Sequence, residues 1–414
     1  MQYGLIGERL GHSYSPEIHA RLADYTYELC ELPPQAVGPF MQAREFSCIN
    51  VTIPYKTAVM PYLDEIDEAA RAIGAVNTVK RVGDRLYGYN TDFAGLSDLI
   101  DRVGVPLAGR TVLILGSGGT AKTALAVCRA RGAKEIVTVG RTAKDGVISY
   151  EEAYARYAHA EYIINATPVG MYPNEDACPV ALSRFSSLLG LCDAIYNPLR
   201  TDLVQAARVR GIPAEGGLYM LVAQAVHAVS IFTGKPVSRA EADGVYRAVL
   251  QEKENVYLIG MPGCGKSTVG RALAAKMGRP FFDSDEEIVR AAGVDIPTIF
   301  ATEGEPRFRE READAIAALA HTARGAVIAT GGGAVLRGEN LHRMRRSGRI
   351  YFLDRALENI RPTGDRPLSS SKDALARRYE ERYPIYCAAA DLRVAVDESI
   401  EHSVETIRKD FLLA

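Results

Sequence analysis

The chain alternates short, mainly apolar and β-branched runs with longer helix-like segments. The runs are TVLIL (111–115), EIVTVG (135–140), YIINAT (162–167), NVYLIG (255–260), AVIATGGG (326–333) and RIYFLD (349–354). Their β-branched content predicts strands, and the lack of polar alternation predicts strands covered on both faces. With helices between them, the expectation is an α/β chain of parallel sheets. The longest apolar stretch, LYMLVAQAVHAVSIF (218–232), carries Gln224, His227 and Ser230 and falls short of a membrane span, so a buried helix is expected. From 236 to 254 the spacing predicts one amphipathic helix with Ser238 as N-cap, and the next strand begins almost at once. A domain boundary is expected near residue 253, joined by a short, charged connection.

At 414 residues the chain is long enough for two or three domains. A net charge of −2 speaks against a general nucleic-acid or membrane-surface role but leaves room for a small acidic ligand held by local Arg and Lys. The first ten residues, MQYGLIGERL, place a charge where a signal peptide needs its apolar segment. Seven scattered cysteines without a Cys-x-x-Cys pair read as reduced thiols, so a cytoplasmic location is expected.

Two of the apolar runs open into glycine-rich turns followed by helix formers. In the first, Gly116-Ser117-Gly118-Gly119-Thr120 follows TVLIL. Such glycines let a pyrophosphate approach backbone N–H groups at a helix N-terminus. The next strand ends VGRTAK, placing Arg141, Thr142 and Lys144 where an NAD site carries a carboxylate. An Arg fork there binds a 2′-phosphate, which selects NADP(H) over NAD. In the second, Gly260-x₄-Gly265-Lys266-Ser267 satisfies the phosphate-loop pattern between a strand and a helix. Backbone N–H groups of Gly263, Cys264, Gly265 and Thr268 would cradle the phosphates of ATP. Lys266 would reach the β/γ oxygens, and Ser267 would ligate Mg²⁺. Cys264 sits in the loop's positive field, which favours a thiolate, although a small residue that simply fits is the plainer reading.

Taken alone, Lys56 reads as a surface lysine and Asp92 as a helix N-cap. In the order GHSYSPEIHA (11–20), NVTIPYK (50–56), GAVNTV (74–79), GYNTDFAGL (88–96), INATPVGM (164–171), YNPLRT (196–201) and GLYMLVAQAVHAV (217–229), these stretches resemble the shikimate dehydrogenase family over about residues 1–252. The resemblance implies reduction of 3-dehydroshikimate by NADPH. It places the substrate carboxylate against Ser13, Ser15 and Tyr196, and the ring hydroxyls against Asn50, Thr52, Asn77 and Gln224. Lys56 and Asp92 become the polar pair at the reacting oxygen, and Gly217 joins the cofactor site. The sequence departs from the family at Cys48, where glycine is usual, at Gly140 for an Asn, and at Asp145 where a second Arg is common.

Beyond the boundary, FFDSDEEI (281–288), FRERE (308–312), ATGGGAV (329–335), DRPL (365–368) and ERYPIY (381–386) resemble shikimate kinase over about 255–414. By that resemblance Asp283 supports Mg²⁺ through water and Asp285 is the base for the attacking hydroxyl. Arg309 and Arg382 clamp the shikimate carboxylate, Gly332 approaches the ring, and Arg366 belongs to a lid over the ATP phosphates. The lid stretch RPTGDRPL is short, with Arg361 standing in for an adenine-stacking Arg at Pro362. Together the resemblances imply a two-lobed dehydrogenase with a substrate lobe (1–103 plus 217–252) and a Rossmann NADP lobe (104–216), then a P-loop kinase domain (253–414). Two rival classes are a binding protein built from inactive copies of these domains, and a quinate-using NAD dehydrogenase joined to another small-molecule kinase. The presence of Lys56, Asp92, Lys266 and Asp285 opposes the first; Arg141 and the Arg309/Arg382 pair oppose the second.

Overall fold

A computed structural model describes residues 1–11, 13–360, 372–396 and 399–413. They divide into two compact units, Met1–Val249 and Leu250–Ala414. The division falls inside the helix Arg239–Lys253. Ser238 caps that helix as its sequence position suggests: its Oγ accepts from Glu241 N (3.2 Å) while Glu241 Oε2 accepts from Ser238 N (2.8 Å). This reciprocal box satisfies two backbone donors at the helix start.

The first unit holds two six-stranded sheets. One has the order Tyr27–Glu31, Tyr3–Gly7, Cys48–Val51, Thr78–Val82, Arg85–Tyr89, Glu65–Ile66. It is mixed rather than wholly parallel, because Thr78–Val82 runs antiparallel to both neighbours. The cause is local. Gly83, at φ +59°, begins a two-residue turn that folds the chain straight back, whereas a parallel partner needs a crossover of a dozen residues or so. The other sheet, Ala214–Glu215, Gly190–Asp193, Tyr162–Asn165, Thr111–Leu115, Glu135–Val139, Val147–Ile148, is parallel throughout. All five residues of Thr111–Leu115 are buried, as its unbroken apolar run implies.

The chain leaves the first sheet through the helix Thr91–Val103, builds the second sheet, and returns through the helix Leu218–Thr233. These two helices pack directly on one another. Gly95 makes the crossing close: a Cβ there would lie 2.8 Å from the Met220 carbonyl oxygen and 3.0 Å from Gln224 N. Among the described residues no helix is long and apolar enough to cross a membrane. Leu218–Thr233, the most apolar, has eleven of its residues buried within the protein.

The second unit is a five-stranded parallel sheet ordered Phe281–Asp283, Val327–Ala329, Asn255–Ile259, Gly348–Asp354, Leu392–Ala395. Its first residues are stitched into it. Arg279 donates to the carbonyls of Gln251 and Glu254, Gln251 Nε2 donates to Leu412 O (3.0 Å), and Gly325 N donates to Lys253 O (3.2 Å). A fragment beginning at residue 255 loses these bonds and leaves Arg279 short of acceptors, at about 1.5–3 kcal/mol for each bond to a charged group. Thermal melts of fragments 250–414 and 255–414 should therefore differ by about 5–15 °C in favour of the longer one. Equal midpoints would show that residues 250–254 contribute nothing to this unit.

Candidate active sites

In the first unit, the loop after strand Cys48–Val51 and the first turn of helix Thr91–Val103 bring Lys56 and Asp92 together. Lys56 Nζ lies 2.6 Å from Asp92 Oδ2, with the two side chains only 17% and 11% exposed. Asp92 is not the N-cap; Asn90 holds that place, its side chain accepting from Phe93 N. Asp92 is thus free of capping and turned to the lysine. Beside the pair lies a buried polar network. Asn50 bonds Thr78 Oγ1 (3.0 Å), Asn77 bonds Thr91 through both its side-chain nitrogen and its oxygen, and Thr91 Oγ1 reaches Gln224 Oε1 (3.4 Å). Gln224 arrives from the returning helix, so the close crossing at Gly95 completes this network.

The residues expected at the carboxylate also meet. Ser13 Oγ accepts from Ser15 N (3.2 Å), and Tyr14 between them packs its ring against Tyr196, centroids 5.2 Å apart. Burial pushes the Tyr196 phenol up to about 12, so the hydroxyl stays protonated. Thr52 is half-buried, its N–H bonded to Ile6 O (3.0 Å).

At the rim of the parallel sheet, Gly116 (φ +108°) turns the chain into the helix Gly119–Ala130. A Cβ on Gly116 would lie 3.0 Å from Ala166 O, whereas beside Gly118 and Gly119 there is open space, a cradle at a helix N-terminus. Ser117 and Gly118 are exposed and Thr120 half-buried. Arg141, Thr142 and Lys144 are exposed beyond strand Glu135–Val139, with Lys144 Nζ 3.8 Å from Asp145 Oδ2. Gly217 is fixed by packing: a Cβ would lie 2.2 Å from Ala194 O.

A knot at the ends of the neighbouring strands escaped sequence reasoning. Fully buried Asp193 accepts from Asn165 Nδ2 (3.0 Å), Ile195 N (3.0 Å) and Thr201 Oγ1 (2.6 Å), and so holds the loop that carries Tyr196. Burial pushes Asp193 up to about 6, against those three bonds, which favour the charged form.

In the second unit, a cavity of about 510 Å³ is lined by Gly263, Gly265, Lys266, Ser267, Thr268, Asp283, Asp285, Arg309, Gly332 and Arg382 among others. All three loop glycines Gly260, Gly263 and Gly265 have positive φ. Lys266 Nζ donates to the carbonyls of Gly260 (2.9 Å) and Met261 (3.0 Å). Ser267 Oγ donates to Asp283 Oδ2 (2.6 Å), and Asp283 Oδ1 caps the next helix through Asp285 N (3.0 Å). The Cys264 thiol is buried under the loop, 3.9 Å from Lys266 Nζ. Arg382 Nη1 donates to Gly332 O (3.1 Å), and Tyr386 donates to the same oxygen. Arg361 and Arg366 lie outside the described residues.

Glu312 completes this site although only its neighbour Arg309 was expected there. Buried to 1% exposure, it accepts from Arg309 Nη1 (2.8 Å). Burial raises its carboxyl above the usual range, with Arg309 and Arg382 opposing. The spacing of three residues along one helix was the available signal. Gly333 makes room for the same guanidinium: a Cβ would fall 2.0 Å from Arg309 Nη1.

A lysine–carboxylate pair beside a buried amide network, in one unit with a parallel sheet whose rim carries an open glycine turn, is the architecture of a dinucleotide-dependent dehydrogenase. A phosphate loop facing an arginine-lined cavity is that of a small-molecule kinase. Comparison with known proteins narrows both classes. Residues 5–79 match the family model for the shikimate dehydrogenase substrate binding domain, and residues 262–411 match that for shikimate kinase. The NADP(+)-dependent shikimate dehydrogenase of Clostridium perfringens (strain SM101 / Type A) is 36% identical over 267 residues, covering 59% of this chain and 96% of that protein. The corresponding protein of Bacillus subtilis (strain 168) is 36% identical over 256 residues, covering 56% and 91%. A solved chorismate mutase/shikimate 5-dehydrogenase fusion protein from Clostridium acetobutylicum superposes with a TM-score of 0.56 at 36% identity, over 60% of this chain and 96% of that one. The shikimate 5-dehydrogenase of Thermus thermophilus, solved with NADP(H) and shikimate, gives 0.54 at 29% identity, over 60% and 99%. The chain belongs to the shikimate dehydrogenase family and carries a shikimate kinase domain behind it.

The Asp193 knot sets a pH dependence. A carboxyl raised in the folded state contributes stability that is fully present below its unfolded value near 3.8 and is lost as pH rises through about 6. The Asp193→Asn variant lacks this titration. The gap in midpoint temperature for heat loss of the first unit's reductase activity, parent minus variant, should be wider at pH 5 than at pH 8 by roughly 3–6 °C. A gap that widens with pH instead would mean that the folded protein favours the charged carboxylate.

Proposed function

We propose that the chain catalyses two consecutive steps: NADPH-dependent reduction of 3-dehydroshikimate to shikimate, then ATP-dependent phosphorylation of shikimate to shikimate 3-phosphate. The observation that carries this reading is one polypeptide in which a family that makes shikimate is followed by a domain whose relatives use it. The substrate lobe is assigned to 1–103 plus 217–252, the NADP lobe to 104–216 and the kinase to 253–414.

In the first unit, Ser13, Ser15 and Tyr196 take the substrate carboxylate through hydroxyl donors, and Asn50, Thr52, Asn77 and Gln224 take the ring hydroxyls. The nicotinamide supplies the hydride. Lys56 delivers the proton that the reduced oxygen needs, and Asp92, 2.6 Å away, keeps the lysine aimed. The open glycine turn at 116–119 suits a pyrophosphate. Arg141 takes the 2′-phosphate, since the nearby Asp145 carboxylate weakens Lys144 for that role.

In the second unit, the phosphate loop holds ATP, with Lys266 drawn toward the β/γ oxygens. Ser267 and Asp283 offer hard oxygen donors at the foot of the loop, which fits Mg²⁺; that ion supplies charge neutralisation on the phosphates. Asp285 takes the proton of the attacking hydroxyl, while Arg309 and Arg382 grip the carboxylate in planar forks. Arg366 is proposed to close over the phosphates. The seven cysteines, all unpaired, agree with a cytoplasmic enzyme.

One assay tests both steps: 3-dehydroshikimate with NADPH, ATP and Mg²⁺, following NADPH oxidation and ADP release. Lys56→Ala should cut NADPH oxidation by roughly 10²–10⁴-fold while ADP release from added shikimate is unchanged. A loss below about tenfold removes Lys56 from proton delivery.

Asp285→Asn should do the converse. Shikimate-dependent ADP release should fall by at least about 10²-fold, with nucleotide binding and the reductase intact. Near-normal turnover would place the base elsewhere.

A further inference from the structure

Asn50 and Asn77 are neighbours across the strands of the first sheet, and their hydrogen bonds give them opposite polarities. Asn50 Nδ2 faces the main-chain carbonyl of Asn77 at 3.3 Å. A backbone carbonyl only accepts, so this contact fixes which end of the amide is nitrogen. The second Nδ2 hydrogen goes to Thr78 Oγ1 at 3.0 Å, whose own hydrogen goes to Asn77 Oδ1 at 3.0 Å. With both donors engaged, the remaining end of Asn50 is its oxygen, and there Tyr27 donates its phenol hydrogen at 2.7 Å. One lone pair is left. Asn50 can accept from a ligand and cannot donate to it.

Asn77 is the reverse. Its oxygen receives Thr91 N at 2.7 Å, an unambiguous donor, together with the Thr78 hydroxyl. Its nitrogen spends one hydrogen on Thr91 Oγ1 at 3.1 Å and keeps the other. Tyr27 is held for its part by a stack on buried His19: the His19 ring lies 3.8 Å from its centroid at 16°, and His19 Nδ1 is 2.7 Å from Tyr25 Oη. Burial lowers His19 to about 3, so the stacked imidazole stays neutral and the phenol is not drawn off by a nearby cation.

We propose that Tyr27 is a positioning residue that supports regiospecificity: its phenol, donating to Asn50 Oδ1, holds in place an amide whose nitrogen is already spent on Asn77 O and Thr78 Oγ1, and the acceptor that remains admits a ring hydroxyl and rejects a ring carbonyl at that position. A ketone facing Asn50 meets two opposed acceptors and no donor, a mismatch that polar sites penalise heavily. The Lys56 ammonium is the charged donor a carbonyl can face, so the Asn50 acceptor and the lysine together favour which ring carbon is reduced. This rests on the reading of Asn50 as a partner of the substrate ring.

The test is steady-state kinetics on the full chain for Tyr27→Phe, Asn50→Ala and the double variant. The forward direction uses 3-dehydroshikimate and NADPH; the reverse uses NADP⁺ with shikimate and its two deoxy analogues lacking a non-reacting hydroxyl. The expected result for Tyr27→Phe is a KM for 3-dehydroshikimate raised about 5–20-fold, kcat within about twofold and the KM for NADPH unmoved. The parent should lose at least about tenfold in kcat/KM on one deoxy analogue; Asn50→Ala should lose that preference and Tyr27→Phe should keep only part of it. Tyr27→Phe should add nothing in the Asn50→Ala background. A Tyr27→Phe enzyme that matches the parent overturns the proposal, as does one equally impaired with and without Asn50. An Asn50→Ala enzyme that handles every substrate like the parent refutes the substrate role of Asn50 itself, and the proposal falls with it.

Discussion

The first unit depends on how closely two helices cross at Gly95. The helix Thr91–Val103 contributes Asp92 and Thr91; the helix Leu218–Thr233 contributes Gln224, more than a hundred residues later and after the entire nucleotide lobe has been built. With a Cβ at position 95 only 2.8 Å from a carbonyl oxygen, no other residue lets the backbones meet without moving one of them. The hydrogen bond between Thr91 and Gln224 is already long at 3.4 Å, so a small separation would break it. The Lys56–Asp92 pair and the amide network therefore share one scaffold, and the second sheet, built between the two helices, is tied to that scaffold on both sides.

The second unit uses missing side chains in the same way around a different chemistry. Gly331 leaves space for the oxygens of Glu312 and Asp285, and Gly333 leaves space for the Arg309 guanidinium. The run of glycines, which reads in isolation as a turn, is the wall against which charged groups are packed. Arg309 is then held between Glu305 and Glu312, so its fork is set before any anion arrives. Arg382 is steadied on Gly332 by a main-chain carbonyl that Tyr386 also engages.

What could be read from the sequence was what is local. The capping box at Ser238 and Glu241 lies within four residues, the phosphate loop within eight, and six of the parallel strands each declare themselves by one mainly apolar run. Lys56 and Asp92 were legible only through the order of several short stretches, and the structure brings them within a hydrogen bond of each other. Tyr27, Asp193 and Tyr386 were not legible. Each acts on a partner 23, 28 or 54 residues away, through a contact that exists only once sheets are paired or a helix is docked. The mixed first sheet was hidden for a related reason. Tyr27–Glu31, Thr78–Val82 and Arg85–Tyr89 mix polar with apolar residues and Glu65–Ile66 is only two residues long, so no run marks the antiparallel half of the sheet. Glu312 lies between these cases, since its helix spacing from Arg309 was visible while its burial was not.

The state of Lys266 bears on how the kinase loop meets its nucleotide. The ammonium is already satisfied by two carbonyls of its own loop, so an arriving ligand enters an exchange in which existing bonds must be surrendered. Neutral oxygens offer nothing better than what the lysine gives up. Only a cluster of anionic oxygens shifts the balance, because charge-assisted bonds are roughly twice as strong as neutral ones. The loop is thereby insulated against sugars, bases and other uncharged metabolites that fit its shape, and it sorts its visitors by charge before it sorts them by form.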